Sequence, residues 1–122
     1  MAHKFKITPA ANDSFKFAFV YNAESIVWSE NYKAKASAKA GIDSIKKNAP
    51  GAPTVDLTKD ETGSGYRFEI VGSKDGQFFV RFVASNGETM VRSETYKAKA
   101  SAVNAIESVK KNGPDAEVVD EA

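Results

Sequence analysis

The chain contains two copies of one sequence. The segment Ser29–Asp56 returns 64 residues later as Ser93–Asp120, and 18 of the 28 paired positions are identical. Self-similarity at a fixed period means that one structural unit is used twice. A unit of about 60 residues buries only about 60% of the surface of its unfolded chain and is marginally stable alone. The repeat therefore predicts one cooperative body in which two units share a core.

Each copy has the pattern of three strands. Apolar residues alternate with other residues at period two. The strands predicted on this basis are Phe5–Ile7, Phe15–Phe19 and Ser25–Ser29, followed in the second copy by Phe68–Ile70, Phe78–Phe82 and Thr89–Ser93. The offset between the copies is 63 in the early strands and 64 afterwards. We place the extra residue in the loops Asn22–Glu24 and Ser85–Glu88, because a slip inside a strand would turn all later side chains to the other face.

A helix and a short closing strand complete each copy. Apolar residues recur at helical spacing from Ala34 to Ala49 and from Ala98 to Gly113, and Asn-x-Pro ends both helices. Small residues at 38, 41, 102 and 105 predict a close approach of helix to sheet. The helix starts are ambiguous, because Ser37 and Ser101 could cap them whereas Ala34 and Ala98 offer no side-chain acceptor. The closing strands are Thr54–Leu57 and Glu117–Asp120.

This order of elements predicts an α+β fold. We expect an antiparallel sheet with the helices on one face, built from two β-β-β-α-β repeats in pseudo-two-fold relation. The first repeat covers residues 1–57, a linker covers 58–65, and the second repeat covers 66–122.

Composition argues against most catalytic chemistry. The chain has no cysteine and one histidine, His3, so a disulfide framework, an ordinary zinc site and a histidine triad are not expected. The sequence also lacks a phosphate-binding glycine loop followed by lysine. We therefore predict a protein that is not an enzyme, with no catalytic residue, cofactor or metal. Acid–base catalysis by Glu30 and Glu94, which recur beside tyrosines, stays open as a third hypothesis that requires their burial.

The location follows from the same composition. No stretch approaches the 18 or more apolar residues that a membrane span needs, and the basic start of the chain lacks the apolar run of a secretory signal. We expect a cytoplasmic protein without a membrane partner, and a monomer, because the repeat is already fused in tandem.

Two aromatic residues differ from the predicted core. Phe79 is out of phase with Phe78 and corresponds to Lys16 in the first copy, while Trp28 corresponds to Arg92. A position that holds a lysine or arginine in one copy is not expected deep in the core. We place Trp28 and Phe79, together with Val20 and Val83, on the sheet face away from the helices. An exposed apolar surface there would bind a partner or ligand, and the alternative is that a dimer partner or exchanged strands cover it.

Lysines flank both helices. Those closest to the helix starts are Lys33, Lys35, Lys39, Lys97 and Lys99. They form either a solvated helix face or a ridge that contacts the phosphates of a nucleic acid. The net charge is only +1, with +3 in residues 1–57 and −2 in residues 58–122, which is modest for a nucleic-acid binder.

The motifs of both copies resemble one family. Asn86-Gly87-Glu88, the run from Ser93 to Ala100 and the run from Ile106 to Ala116 are similar to the YegP-like family of uncharacterised bacterial proteins. Copy one departs from that pattern at Ala23 and Gly51. The resemblance implies two β3-α units whose strands merge into one sheet, with the C-terminal strands exchanged between units. It implies no activity, cofactor or catalytic residue.

Two functions remain after these arguments. The first is a non-catalytic interaction module with an unknown protein or small ligand as its partner. The alternative is weak nucleic-acid binding through the helix-flanking lysines, with aromatic side chains as stacking platforms.

Overall fold

The computed structural model, which describes residues 3–22 and 24–122, contains eight strands and two helices. The first half contains β1 (His3–Ala10), β2 (Ser14–Tyr21), β3 (Glu24–Trp28), α1 (Lys35–Asn48) and β4 (Thr54–Asp56). A 3-10 turn at Leu57–Lys59 follows, and the second half contains β5 (Arg67–Gly72), β6 (Phe78–Val83), β7 (Thr89–Arg92), α2 (Lys99–Asn112) and β8 (Glu117–Asp120). Ala23, part of the first predicted loop, lies outside the described residues. Neither helix in the described part is long and apolar enough to cross a membrane.

All strands join in one sheet of order β4-β5-β6-β7-β3-β2-β1-β8. The prediction of an antiparallel sheet was wrong, because β4 pairs with β5 and β8 pairs with β1 in parallel orientation. The other neighbours are antiparallel. Residues 57–66 carry the chain from the end of β4 back to the side of the sheet where β4 began, so that β5 runs parallel to it, whereas β1 and β8 lie at opposite ends of the sequence.

One face of the sheet carries the core, and both helices pack on it. The register places Phe5 opposite Phe19 in one half and Phe68 opposite Phe82 in the other. All four rings are buried and belong to a single cluster with the apolar stripes of the helices. Gly41 lets α1 approach closely, since a Cβ there would lie 3.1 Å from both the Phe17 ring and the Tyr32 hydroxyl.

A bulge occurs at the same place in both halves. The β2–β3 register shifts between Phe19 and Val20, and the β6–β7 register shifts between Phe82 and Val83. A bulge adds one residue to one strand and increases its local twist. The twist is therefore introduced twice, on either side of the central β3–β7 pair.

The repeated serine of the Ser-Glu-x-Tyr motif has a structural role. The Ser93 hydroxyl accepts a hydrogen bond of 3.0 Å from the Val80 backbone N–H and donates one of 2.8 Å to the Glu94 carbonyl. Ser29 makes the equivalent bonds with Phe17 and Glu30. Each hydroxyl thus satisfies a buried backbone donor at the end of the central strands.

Replacing Ser93 by alanine should lower the free energy of unfolding by about 1–3 kcal/mol, because the buried Val80 N–H loses its acceptor. Denaturant unfolding of the variant measures this loss. Ser101→Ala is the matched control, since Ser101 is exposed in the first turn of α2. Equal stability of the Ser93 and Ser101 variants would contradict the role assigned to the hydroxyl.

Candidate binding surface

The sheet face opposite the helices, here called the outer face, carries a row of cross-strand neighbours. Successive strands place these side chains next to one another, and the row is Lys6, Ala18, Trp28, Arg92, Arg81 and Glu69. Adjacent strands lie about 4.8 Å apart, so the row crosses the middle of the sheet without interruption. Trp28 and Arg92 form its centre on β3 and β7, the strands at which the two repeats meet.

Trp28 stands between two shallow concavities. One has a volume of about 390 Å³ and is lined by Lys6, Thr8, Lys16, Phe17, Ala18, Val20, Ser25 and Trp28 itself. The other has a volume of about 210 Å³ and lies toward β7, with Met90 and Arg92 in its lining. The indole ring is partly exposed and is not part of the core cluster. It can therefore offer an aromatic face to a ligand seated on either side.

Phe79 is also partly exposed and lies outside the core cluster. The Arg92 guanidinium sits 4.4 Å from the centre of its ring, which is within the range of a cation–π contact. The structure therefore brings the two predicted aromatic residues into one neighbourhood, with Arg92 beside both of them.

The two valines predicted for this surface add little exposed area to it, although Val20 lines the larger concavity. Val20 and Val83 are only 7% and 2% exposed, although they lie outside the core cluster. Each sits at a bulge, and each pairs with a long basic residue, Lys4 for Val20 and Arg67 for Val83. The apolar stem of such a side chain covers neighbouring apolar surface. Both valines therefore lie on the outer face, as their pairing shows, but they offer a partner little apolar surface.

A charge network occupies the second-repeat side of the outer face. Glu69 accepts hydrogen bonds of 2.8 Å from Arg67 Nε and 2.6 Å from Arg81 Nε. Burial opposes ionisation of Glu69, but the two arginines outweigh it and hold the pKa of this carboxyl below its usual value. Two cations on this side thus share one carboxylate, which compensates one of their two positive charges.

The first-repeat side of the outer face is different. Among the described residues, no carboxylate lies within 4.0 Å of the amino groups of Lys4 and Lys16 or of the Arg92 guanidinium. Lys6 has a single contact of 3.7 Å with Glu121, which follows β8. The sequence analysis missed these basic residues, although Lys4, Lys6 and Lys16 have the phase opposite to the buried phenylalanines and so belong to the outer face.

Most of the helix-flanking lysines hold the closing strands. Lys35 lies 3.2 Å and Lys39 lies 3.8 Å from the Asp120 carboxylate of β8, while Lys99 lies 2.9 Å from the Asp56 carboxylate of β4. Hydrogen bonding to Ala122 and Lys35 lowers the pKa of Asp120. Burial opposes ionisation of Asp56, yet hydrogen bonds from Lys99 and Thr58 lower its pKa as well.

The remaining two lysines of that set, Lys33 and Lys97, are exposed in the segments before the helices. The five lysines therefore do not form one continuous cationic ridge. Three of them are committed to carboxylates of distant strands.

The carboxylates considered for acid–base chemistry are at the surface. Glu30 and Glu94 are exposed, and Glu30 lies at the margin of shallow concavities. Their neighbours Tyr32 and Tyr96 are half-buried, and burial followed by the nearby glutamate charge raises the pKa of each phenol. Both phenols therefore stay protonated at neutral pH and pack against the core.

The repeat architecture is matched by a family model described as a domain of unknown function, DUF1508, at residues 10–56 and again at 73–120. Among curated relatives, the chain is similar to a UPF0339 protein of Pseudomonas aeruginosa, with 34% identity over the whole of both chains. A UPF0339 protein of Agrobacterium fabrum is 62% identical over 56 residues, which are 46% of this chain and 90% of that protein. A single repeat can therefore make up almost an entire relative.

Solved structures show the same fold. The solution structure of a protein of unknown function, yegP, from E. coli is 30% identical, has a TM-score of 0.78, and is matched over 99% of this chain and 94% of that one. A UPF0339 protein of Shewanella oneidensis is 27% identical with a TM-score of 0.79, over 98% and 92% of the two chains. From its two family domains, its relatives and its fold, this chain belongs to the YegP-like family, with the DUF1508 domain repeated in tandem.

Proposed function

We propose that this protein is a non-catalytic binding module and that the outer face is its binding surface. The observation that carries the proposal is the position of Trp28, a partly exposed indole at the centre of the sheet between two concavities. Large aromatic residues are among the strongest anchors of binding interfaces. The helices cover the other face, so the outer face is the broad sheet surface left for a partner.

The two repeats differ on the outer face but agree in the core. Core positions keep their character, as in Phe5 and Phe68 or Phe19 and Phe82. Outer positions change it, and the pairs that differ are Lys6 and Glu69, Lys16 and Phe79, Ala18 and Arg81, and Trp28 and Arg92. The two halves of the outer face therefore offer a partner different side chains.

We further infer a pseudo-two-fold relation between the repeats with exchange of the closing strands. The inference is supported by the pairing of β4 with β5 and of β8 with β1, each joining strands of different repeats. The ion pairs Lys35–Asp120 and Lys99–Asp56 are equivalent under the 64-residue offset and also cross between repeats. Both sheet halves are completed within one chain, so we expect a monomer.

The test is capture by immobilised protein from a bacterial extract. Trp28→Ser and Phe79→Ser should each reduce retention of the captured species at least about tenfold, the scale of a lost interface anchor. Both residues lie outside the core cluster, so the variants should keep the fold, which a circular dichroism spectrum checks.

The matched control is Val103→Ser, which removes an exposed apolar residue on α2 at the helical side of the molecule. The proposal is supported if the Val103 variant retains the captured species as well as the wild type does and the two outer-face variants do not. Undiminished retention by the Trp28 and Phe79 variants would assign binding to another surface and overturn it.

A further inference from the structure

The outer face concentrates positive charge that the overall composition conceals. Six basic residues lie on it, namely Lys4, Lys6, Lys16, Arg67, Arg81 and Arg92. Its strands carry two carboxylates, Glu69 and Glu117, with Glu121 just beyond β8 near Lys6. Because the whole chain has a net charge of only +1, the rest of the molecule is slightly acidic. The molecule is therefore polarised, with the positive side on the helix-free sheet.

Part of the uncompensated charge surrounds the partly exposed indole of Trp28. Lys6 and Lys16 line the larger concavity beside Trp28, and Arg92 lines the smaller one on its other side together with the exposed Glu30. Within the described part of the chain, Lys16 and Arg92 have no carboxylate at ion-pair distance. Cations on both sides of an aromatic platform match a ligand with a flat apolar group attached to a chain of negative charges.

We infer, on the basis of the proposed function, that the ligand of the outer face is a single-stranded nucleic acid. Unpaired bases stack on Trp28 and Phe79, the phosphate between them contacts Arg92, and the phosphates beyond Trp28 contact Lys16, Lys6 and Lys4 on the next two strands. Base–aromatic stacking and a basic track for the backbone are the two terms that bind single strands without sequence preference. A duplex binds less well, because its bases are already stacked on one another and cannot reach the rings.

This assignment differs from binding through the helix-flanking lysines. Lys35, Lys39 and Lys99 already contact carboxylates of β8 and β4, so recruiting them would break contacts that hold the closing strands. Of the cations around Trp28, Lys16 has no such contact to break, Lys6 has one of 3.7 Å with Glu121, and Arg92 lies against the Phe79 ring. Charge and stacking groups also coincide on the outer face, whereas the aromatic rings near Lys35 and Lys99, Phe15 and Phe78, pack against the core.

Trp28 is the only tryptophan in the chain, so its fluorescence reports on the site directly. The probe is an oligothymidylate of about 15 nucleotides, within the range of known single-strand sites, titrated into the full-length protein at about 50 mM salt. We expect quenching that saturates, weaker binding of the corresponding duplex, and an affinity that falls steeply as salt is raised. Inorganic polyphosphate serves as a polyanion without bases.

Variants separate stacking from charge. Trp28→Ala, followed by the anisotropy of a labelled oligonucleotide, should weaken binding about tenfold or more, as loss of one stacking platform does. The same change should leave polyphosphate binding unaltered. Lys16→Gln should reduce the slope of log affinity against log salt by about 0.7 for each phosphate that the variant no longer neutralises. The matched control is Lys47→Gln, which removes an exposed lysine from the helical side.

Several results would overturn the inference. These are absence of oligonucleotide binding at low salt, equal affinity of the wild type and the Trp28 variant, or equal effects of the Lys16 and Lys47 variants. If oligonucleotides fail to bind while extract proteins are still retained in a Trp28-dependent manner, the nucleic-acid assignment is wrong and the proposed binding module stands. Failure of both experiments removes the outer face as a binding surface.

Discussion

Phe82→Ala lowers the free energy of unfolding by about 3–5 kcal/mol, and the equivalent Phe19→Ala does the same. Both rings are fully buried. The ring centres of Phe82 and Phe68 are 4.8 Å apart, and those of Phe19 and Phe5 are 4.9 Å apart. Removing either ring leaves a cavity that helix and sheet cannot both close, so the loss exceeds the transfer free energy of the removed atoms.

The same two variants also test whether the two repeats unfold together. All four rings belong to one core cluster that spans the two repeats, so each variant should shift a single transition of the whole molecule. Calorimetry checks this by comparing calorimetric and van't Hoff enthalpies. Phe79→Ala is the control, because it removes a phenylalanine from the outer face and should cost much less. Two separate transitions, of which a variant moves only one, would show that the repeats fold independently.

The core was predictable from the sequence because its signal is local. Alternation at period two identifies the inward side chains of β1, β2, β5 and β6, and helical spacing identifies those of α1 and α2. The duplication reinforces each pattern, since one copy checks the other. The loop position of the one-residue difference between the copies was predictable for the same reason. Phe19 and Phe82 are 63 residues apart, Val27 and Val91 are 64 residues apart, and all four face the core, so the extra residue lies between the strands.

The helix starts and the sheet edges were less predictable because distant residues determine them. The helices begin at Lys35 and Lys99, and the capping residues Ala34 and Ala98 make no side-chain hydrogen bond. The chain before each helix is held by backbone hydrogen bonds to a strand, between Tyr32 and Phe15 and between Tyr96 and Phe78. The first lysine of each helix also forms an ion pair, with β8 in one case and with β4 in the other. A contact between residues 43 positions apart, such as Lys99 with Asp56, leaves no periodic trace in the sequence.

The candidate surface was found in part because the two copies disagree there. Trp28 is equivalent to Arg92 in the other copy, and Phe79 is equivalent to Lys16, which indicated that both aromatic residues lie outside the core. The structure places both rings there, partly exposed. The same reasoning placed Val20 and Val83 on this face, but both are nearly buried, because exposure also depends on neighbouring strands and bulges that the sequence does not display. The basic residues of the outer face were missed because they are spread over several strands and converge only when the sheet forms.

The two repeats expressed as separate chains, 1–65 and 66–122, should each fail to form a compact monomer at high dilution. Each fragment loses a parallel edge strand, since β8 pairs with β1 and β4 pairs with β5. Each also loses half of a core shared across the sheet. The remaining unit of about 60 residues buries too little apolar surface to offset the entropy of ordering its chain.

Mixing the fragments should restore the native state, because together they carry every strand pair of the intact protein. Heteronuclear NMR spectra of the separate and mixed fragments test this, with sedimentation giving the molecular mass. The control is a second fragment that ends at residue 116 and therefore lacks β8, which should reassemble far more weakly with 1–65.

A dispersed spectrum and a monomeric mass for either fragment alone would show that one repeat is self-sufficient. The Agrobacterium relative, in which 56 matching residues are 90% of the protein, would then need no second copy; if the fragments behave as expected, that relative must associate with itself to complete the same sheet.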